Sequence, residues 1–176
     1  YNRAQWDGNW KRLCVAMVIS TDPHLLIDDP YQSPFNVGTK IELEDFDERQ
    51  VADLNRRHGE PLTPTQVPEI ASFLGGHPYL TRKALFAIVM EGLSWNDVLN
   101  RAVDEGGPFG DHLRHYLQLL HDKHDLSRAM KRIVRDGTCP DEETFYRLQA
   151  AGLVRRVGAS CVCRCPLYES FFEKCL

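Results

Sequence analysis

Between Asp111 and Leu176 the apolar residues change their period, and that change restricts the fold more than any other feature of the sequence. Leu113, Tyr116, Leu117 and Leu120 recur at helical spacing, and Leu126 to Val134 repeats the pattern. A further helix starts at Asp141 or Thr144, carries Phe145 and Leu148, and stops at Gly152. The next segments, Leu153-Val154-Arg155-Arg156-Val157 and Cys161-Val162-Cys163-Arg164-Cys165, flank Gly158-Ala159-Ser160. They read as two strands of a β-hairpin. An aromatic helix from Leu167 to Leu176 closes the chain. Three helices followed by a hairpin are the order of a winged-helix domain, predicted here over 108–176.

Upstream, the clearest break is Gly106-Gly107-Pro108. Residues 47–107 form a predicted helical domain. Asp47 is the expected N-cap of its first helix, which carries Val51 and Leu54 and ends at Gly59. Thr63 as N-cap and Pro64 at the first helical position open a second, whose Pro68 must stay in the first turn. After Gly75-Gly76, a third runs from His77-Pro78 to about Met90, with Leu80, Ala84, Leu85, Ile88 and Val89 facing a core. Ser94 caps a fourth, through Val103.

The first part, 1–46, holds Leu13-Cys14-Val15-Ala16-Met17-Val18-Ile19, an unbroken apolar run rich in β-branched residues. It reads as a strand buried on both faces of a parallel sheet. The run ends at Ser20-Thr21-Asp22-Pro23, which puts small polar side chains at the carboxyl edge, where open α/β sheets bind ligands. Lys40-Ile41-Glu42-Leu43 reads as a short strand nearer an edge. The fold class is therefore α/β plus α.

No apolar run approaches the ~20 residues of a membrane-spanning helix. The chain opens on Tyr1 without a basic-then-apolar leader and reads as a trimmed piece of a cytoplasmic protein. Residues 1–110 hold 10 basic and 16 acidic side chains and residues 111–176 hold 11 and 9, so neither part has the concentrated positive field of a general nucleic-acid binder. No Gly-x-Ser-x-Gly elbow points to a hydrolase.

Ser20-Thr21-Asp22-Pro23, Gln32-Ser33-Pro34-Phe35-Asn36-Val37-Gly38, Ile41-Glu42-Leu43, Gly75-Gly76-His77-Pro78-Tyr79-Leu80, Asp111-His112-Leu113-Arg114 and Gly152-Leu153-Val154 follow one another in that order. In this the chain resembles the bacterial AAA-like domain family, STAND-type P-loop ATPases of multidomain signalling proteins. The resemblance spans nearly the whole chain and implies the end of a P-loop core (1–46), a helical lid (47–107) and a winged helix (108–176). No Gly-x-x-x-x-Gly-Lys-Ser/Thr and no Leu-rich strand ending in Asp-Asp or Asp-Glu occurs. The backbone cradle for ATP or ADP, and the groups that hold Mg2+, would therefore come from a preceding P-loop half. The chain alone is expected neither to bind triphosphate tightly nor to hydrolyse it.

The resemblance implies roles for individual residues. Ser20 and Thr21 fall at the sensor position that orients the attacking water, or else form an ordinary strand-ending turn. Gly76-His77-Pro78 matches the Gly-x-Pro of STAND lids, where proline packs on adenine, or is a plain helix boundary. Arg82 falls where a cation can reach phosphate, although an arginine there also suits a solvated face. Leu167-Tyr168-Glu169 stands in place of a Met-His-Asp triplet that locks ADP; Tyr168 brings one hydroxyl and no cation, and better suits an aromatic core beside Phe171 and Phe172. Effector or sensor domains on the same polypeptide, and a homo-oligomer, are the implied partners.

Several other arrangements compete with this reading. Cys161, Cys163 and Cys165 share one strand face, a poor zinc geometry even with Cys139 or Cys175 as a fourth ligand, so they read as small core residues. His112-x-x-His115 and His121-x-x-His124 have metal spacing but lack a placed carboxylate, and read as surface residues. A winged-helix DNA-binding module would insert the helix from Asp141 and grip phosphate with Arg155, Arg156 and Arg164, against the repulsion of Asp141-Glu142-Glu143. A protein-docking module is the third reading.

Overall fold

The computed structural model describes Ala16, Val18, Thr39, Ile41 and residues 43–176. The chain divides into two units, 1–43 and 44–176. In the first, Ala16 and Val18 belong to no strand, and Val18 is 93% exposed; Ile41 and Leu43 are likewise exposed and outside strands. Most of the expected strand Leu13–Ile19, with Lys40 and Glu42 of the expected edge strand, lies outside the described residues.

The second unit is mostly helical, with a small hairpin near its end. Its elements are α1 (Glu48–Arg57), α2 (Gln66–Leu74), α3 (Pro78–Met90), α4 (Trp95–Asn100), α5 (Gly110–His121), α6 (His124–Asp136), α7 (Glu142–Ala150), β1 (Val154–Val157), β2 (Ser160–Cys163) and α8 (Pro166–Cys175). One continuous apolar core joins them, from Val51, Ile70, Leu74, Leu80 and Leu85 through Phe109, Leu113 and Met130 to Leu148, Leu167 and Phe172.

Helix starts follow the caps. Asp47 accepts the Gln50 amide at 2.7 Å while its own amide donates to the Gln50 side chain at 2.9 Å, a reciprocal capping box. Ser94 and Asp97 make the same pair at α4. Asp141 accepts from the Thr144 amide at 3.0 Å and opens α7. The start of α2 differs from expectation. Thr65 precedes it, and the Thr63 carbonyl accepts from Gln66 and Val67 at 3.0 and 3.2 Å. The reason is Pro68. A helix begun at Pro64 would make Pro68 its fifth residue, where the ring strikes the carbonyl four residues back; begun at Gln66, Pro68 is third and needs no donor.

The end of α3 also departs from expectation. Leu80, Thr81, Ala84, Leu85 and Ala87 are buried, but Val89 is 44% exposed and turned away from that face. In the hairpin, β1 and β2 are antiparallel with Val154 opposite Cys163 and Val157 opposite Ser160. The turn is therefore two residues, Gly158-Ala159, rather than three. A disulfide links Cys139, before α7, to Cys161 in β2, which corrects the reading of Cys161 as a free core residue. Cys163 and Cys165 are buried thiols, as expected of small core residues. Among the described residues, no group of three or more His, Cys, Asp or Glu could hold a metal.

Candidate functional site

The site is built around the turn between α2 and α3. Gly75 and Gly76 both have positive φ, +60° and +68°. A methyl group on Gly76 would sit 2.1 Å from the Phe46 carbonyl oxygen, and one on Gly75 2.9 Å from the Arg164 carbonyl oxygen. Only glycine allows both the conformation and the approach. The bare turn lets the Phe46 amide donate to the Gly76 carbonyl at 2.8 Å. Three segments far apart in sequence meet here: Asp45-Phe46, Gly75-Gly76-His77 and Arg164-Cys165.

His77 follows as the residue that starts α3, with Pro78 at the first helical position. Its carbonyl accepts from both the amide and the hydroxyl of Thr81, each at 2.9 Å. Its ring stands edge-on to His112 and Tyr168, with centroids 6.0 and 6.4 Å away. The His77 Nδ1 atom is buried and has no hydrogen-bond partner. His112 Nε2 and the Tyr168 hydroxyl are 2.7 Å apart and share a hydrogen bond. Tyr116 closes the group, 4.9 Å from His112 and 5.6 Å from Tyr168 between centroids. Tyr79 lies on its open side, 5.1 Å from His112, with the Lys83 ammonium 5.8 Å from the tyrosine ring.

One buried-side cation accompanies these rings. Arg164 donates to both Asp45 oxygens, from Nε at 3.2 Å and Nη2 at 2.5 Å, a two-pronged ion pair across 119 positions of sequence. Burial works against the Arg164 charge, and the Asp45 hydrogen bond and charge more than offset it, so its pKa rises. Burial, then the Arg164 charge, brings His77 down to about 4. Burial, then His77 and Lys83, brings His112 to about 4. Both imidazoles are therefore neutral near pH 7. Burial likewise pushes the Tyr168 phenol upward, so its hydroxyl keeps its proton. The cluster holds one guanidinium paired with Asp45, two neutral imidazoles and the phenols of Tyr116 and Tyr168, with Tyr79 and the Lys83 ammonium on its open side.

Of the residues singled out from sequence, His77 and Pro78 follow the turn formed by Gly76, and the His77 ring stands against Tyr168 of α8. Tyr168 is fully buried and its hydroxyl is engaged by His112. Arg82 is exposed along α3. Ser20 and Thr21 lie outside the described residues. His115, His121 and His124 are exposed, as expected; His112 is not, and its reading as a surface residue is corrected by its packing on Tyr168. Sequence reasoning also missed Arg164 and Asp45 as a pair. The helical step from His112 to Tyr116 was the available signal; nothing local links residues 45 and 164.

The arginines assigned to a DNA grip are largely occupied. Arg156 pairs with Glu142 of α7 at 2.9 Å and lies 4.4 Å over the Phe145 ring, and Arg164 is held by Asp45.

The AAA-like domain family matches residues 1–174, and the chain belongs to that family. It is similar to an uncharacterized WD repeat-containing protein of Synechocystis sp., with 32% identity over 102 residues, 56% of this chain. The match covers 8% of that relative's length. No solved structure matches the chain.

Proposed function

From membership of the AAA-like family, we propose that this chain is the nucleotide-responsive arm of a STAND-type ATPase signalling switch. In this reading 1–46 ends the ATPase core, 47–107 is the lid and 108–176 is a winged helix. Support for the winged helix comes from the order α5, α6, α7, β1, β2 and from α8 packed behind it. The observation that carries the functional reading is the meeting of the Gly76-His77-Pro78 turn, Tyr168 and Arg164 in one cluster.

Pro78 offers a rigid apolar face for adenine, and Gly76 permits close approach. Arg164 and the unpartnered His77 Nδ1 supply polar groups of the kind a phosphate needs. Arg82 and the sensor residues Ser20 and Thr21 complete the set assigned to this chain. ATP or ADP, with Mg2+, supplies the phosphoanhydride chemistry, and the Walker half preceding this chain holds those phosphates. The arm's part is to report which nucleotide is present: ADP favours the closed arrangement only by binding it better than the open one. Attached effector or sensor domains receive the change, in a cytoplasmic protein that can assemble with its own copies.

The test is a polypeptide carrying both the Walker-bearing half and this chain. It should bind a fluorescent ADP analogue, and Pro78→Ala should weaken binding about tenfold, the loss of roughly 1.4 kcal/mol of packing. Equal affinity for the wild type and the Pro78→Ala variant would count against the reading.

A further inference from the structure

Asp45 and Phe46 form a strap that grips two places at once. The Phe46 amide holds the Gly76 carbonyl at 2.8 Å, and the Asp45 carboxylate holds Arg164 at the junction of β2 and α8. We propose that Asp45 is a resident substitute for phosphate, and that a phosphate anion opens this clasp by taking Arg164. The proposal rests on the nucleotide reading for its source of phosphate, and on the following geometry for the rest.

The guanidinium fork fits a carboxylate and a phosphate equally well, so the two compete for the same donors. Neither partner is sealed from solvent: the Arg164 side chain is 27% exposed and that of Asp45 34%. The groups facing Arg164 favour the exchange. His77 and His112 are neutral near pH 7 and Tyr168 keeps its proton, so Asp45 is the anion that an incoming phosphate must displace. The buried His77 Nδ1 can donate to a phosphate oxygen in the tautomer that places its proton there. A terminal phosphate carries nearly two negative charges against one on Asp45, which tips the competition towards the ligand.

The exchange has a directional consequence. Phe46 stays bound to the Gly76 carbonyl, because that bond involves only backbone. Asp45 lets go of the β2–α8 junction. Phosphate would therefore free the carboxyl-terminal elements from the strap while leaving the strap on the α2–α3 turn. Membership of a switch family does not specify such a clasp; it follows from the two attachments of one dipeptide.

The experiment titrates the chain with inorganic pyrophosphate, followed by calorimetry and by the NMR signal of the Arg164 Nε–H group. In the wild type that signal should shift with pyrophosphate and not with sodium chloride of equal ionic strength. Asp45→Asn, which removes the competitor, should bind pyrophosphate about tenfold more tightly, and Arg164→Gln should not bind it. An unmoved Arg164 signal, equal affinity for the wild type and Asp45→Asn, or undiminished binding by Arg164→Gln would each overturn the clasp. The wild-type signal decides the matter even if a variant fails to fold. A parallel titration with ADP separates the two proposals: ADP binding no tighter than pyrophosphate would tell against an adenine site while the clasp stands.

Discussion

Acidification should unfold this protein earlier than its carboxylates would suggest, and the cause lies in His77 and His112. In the unfolded chain each imidazole takes its proton near pH 6.5; folded, each waits until about 4. Below pH 6.5 the unfolded state therefore binds more protons, and stability falls with pH until about 4. At 1.4 kcal/mol per pH unit, each displacement corresponds to about 3 kcal/mol. Both rings keep partial contact with water, so we halve this to about 1.5 kcal/mol each, about 3 kcal/mol together. That is a large part of the 5–15 kcal/mol typical of a domain and amounts to roughly 10 °C in Tm. The acidic side chains Asp53, Asp97, Asp125, Asp136 and Asp141 are all held below their ordinary range, Asp136 at about 2 by Thr138 and Arg135, so they stay ionised across this window. Thermal melts at pH 7.5, 6.5, 5.5 and 4.5, for the wild type and for His77→Gln/His112→Gln, measure the effect. The wild type should lose stability steadily below pH 6.5, and the double variant should be nearly flat down to 4.5. A flat wild-type profile, or a slope that survives in the double variant, would refute the assignment.

Other predictions concern backbone, covalent and catalytic features. Gly76→Ala should cost more than about 3 kcal/mol, because the methyl meets the Phe46 carbonyl as well as the positive φ. Gly92→Ala, with φ +70° but nothing within 4 Å, should cost about 1 kcal/mol, and urea melts compare the two. Breaking the Cys139–Cys161 bond by Cys139→Ser should remove about 3 kcal/mol, for a loop spanning 22 positions, and the same loss should appear on reducing the wild type. The 176-residue chain alone should give no ATP turnover in a phosphate-release assay, since it carries no Walker motif.

Much of the helical order was legible because it is set locally. Asp47, Ser94 and Asp141 cap within three residues of themselves, so their helices could be read from spacing alone. The start of α2 was misplaced because two prolines, Pro64 and Pro68, each suit a first turn and only one can have it. The hairpin was legible from its small-residue turn, to within one residue. Half of the site was legible as well: Gly76-His77-Pro78 announces a glycine turn and a helix start. Its other half was not: Tyr168 was singled out only through the resemblance, and Asp45, Arg164 and His112 are brought in by an ion pair and a hydrogen bond between residues far apart in sequence. A Cys139–Cys161 bond has the same character, since strand alternation places Cys161 with Cys163 and says nothing of residue 139.

Hydrogen exchange on a polypeptide joining a Walker-bearing half to this chain, compared with ADP and with a non-hydrolysable ATP analogue, reads the proposed switch at the cluster itself. Amides at Gly75–His77 and at Arg164–Tyr168 should lose protection together when the ATP analogue replaces ADP. Protection that is identical with both nucleotides at these two segments would contradict it.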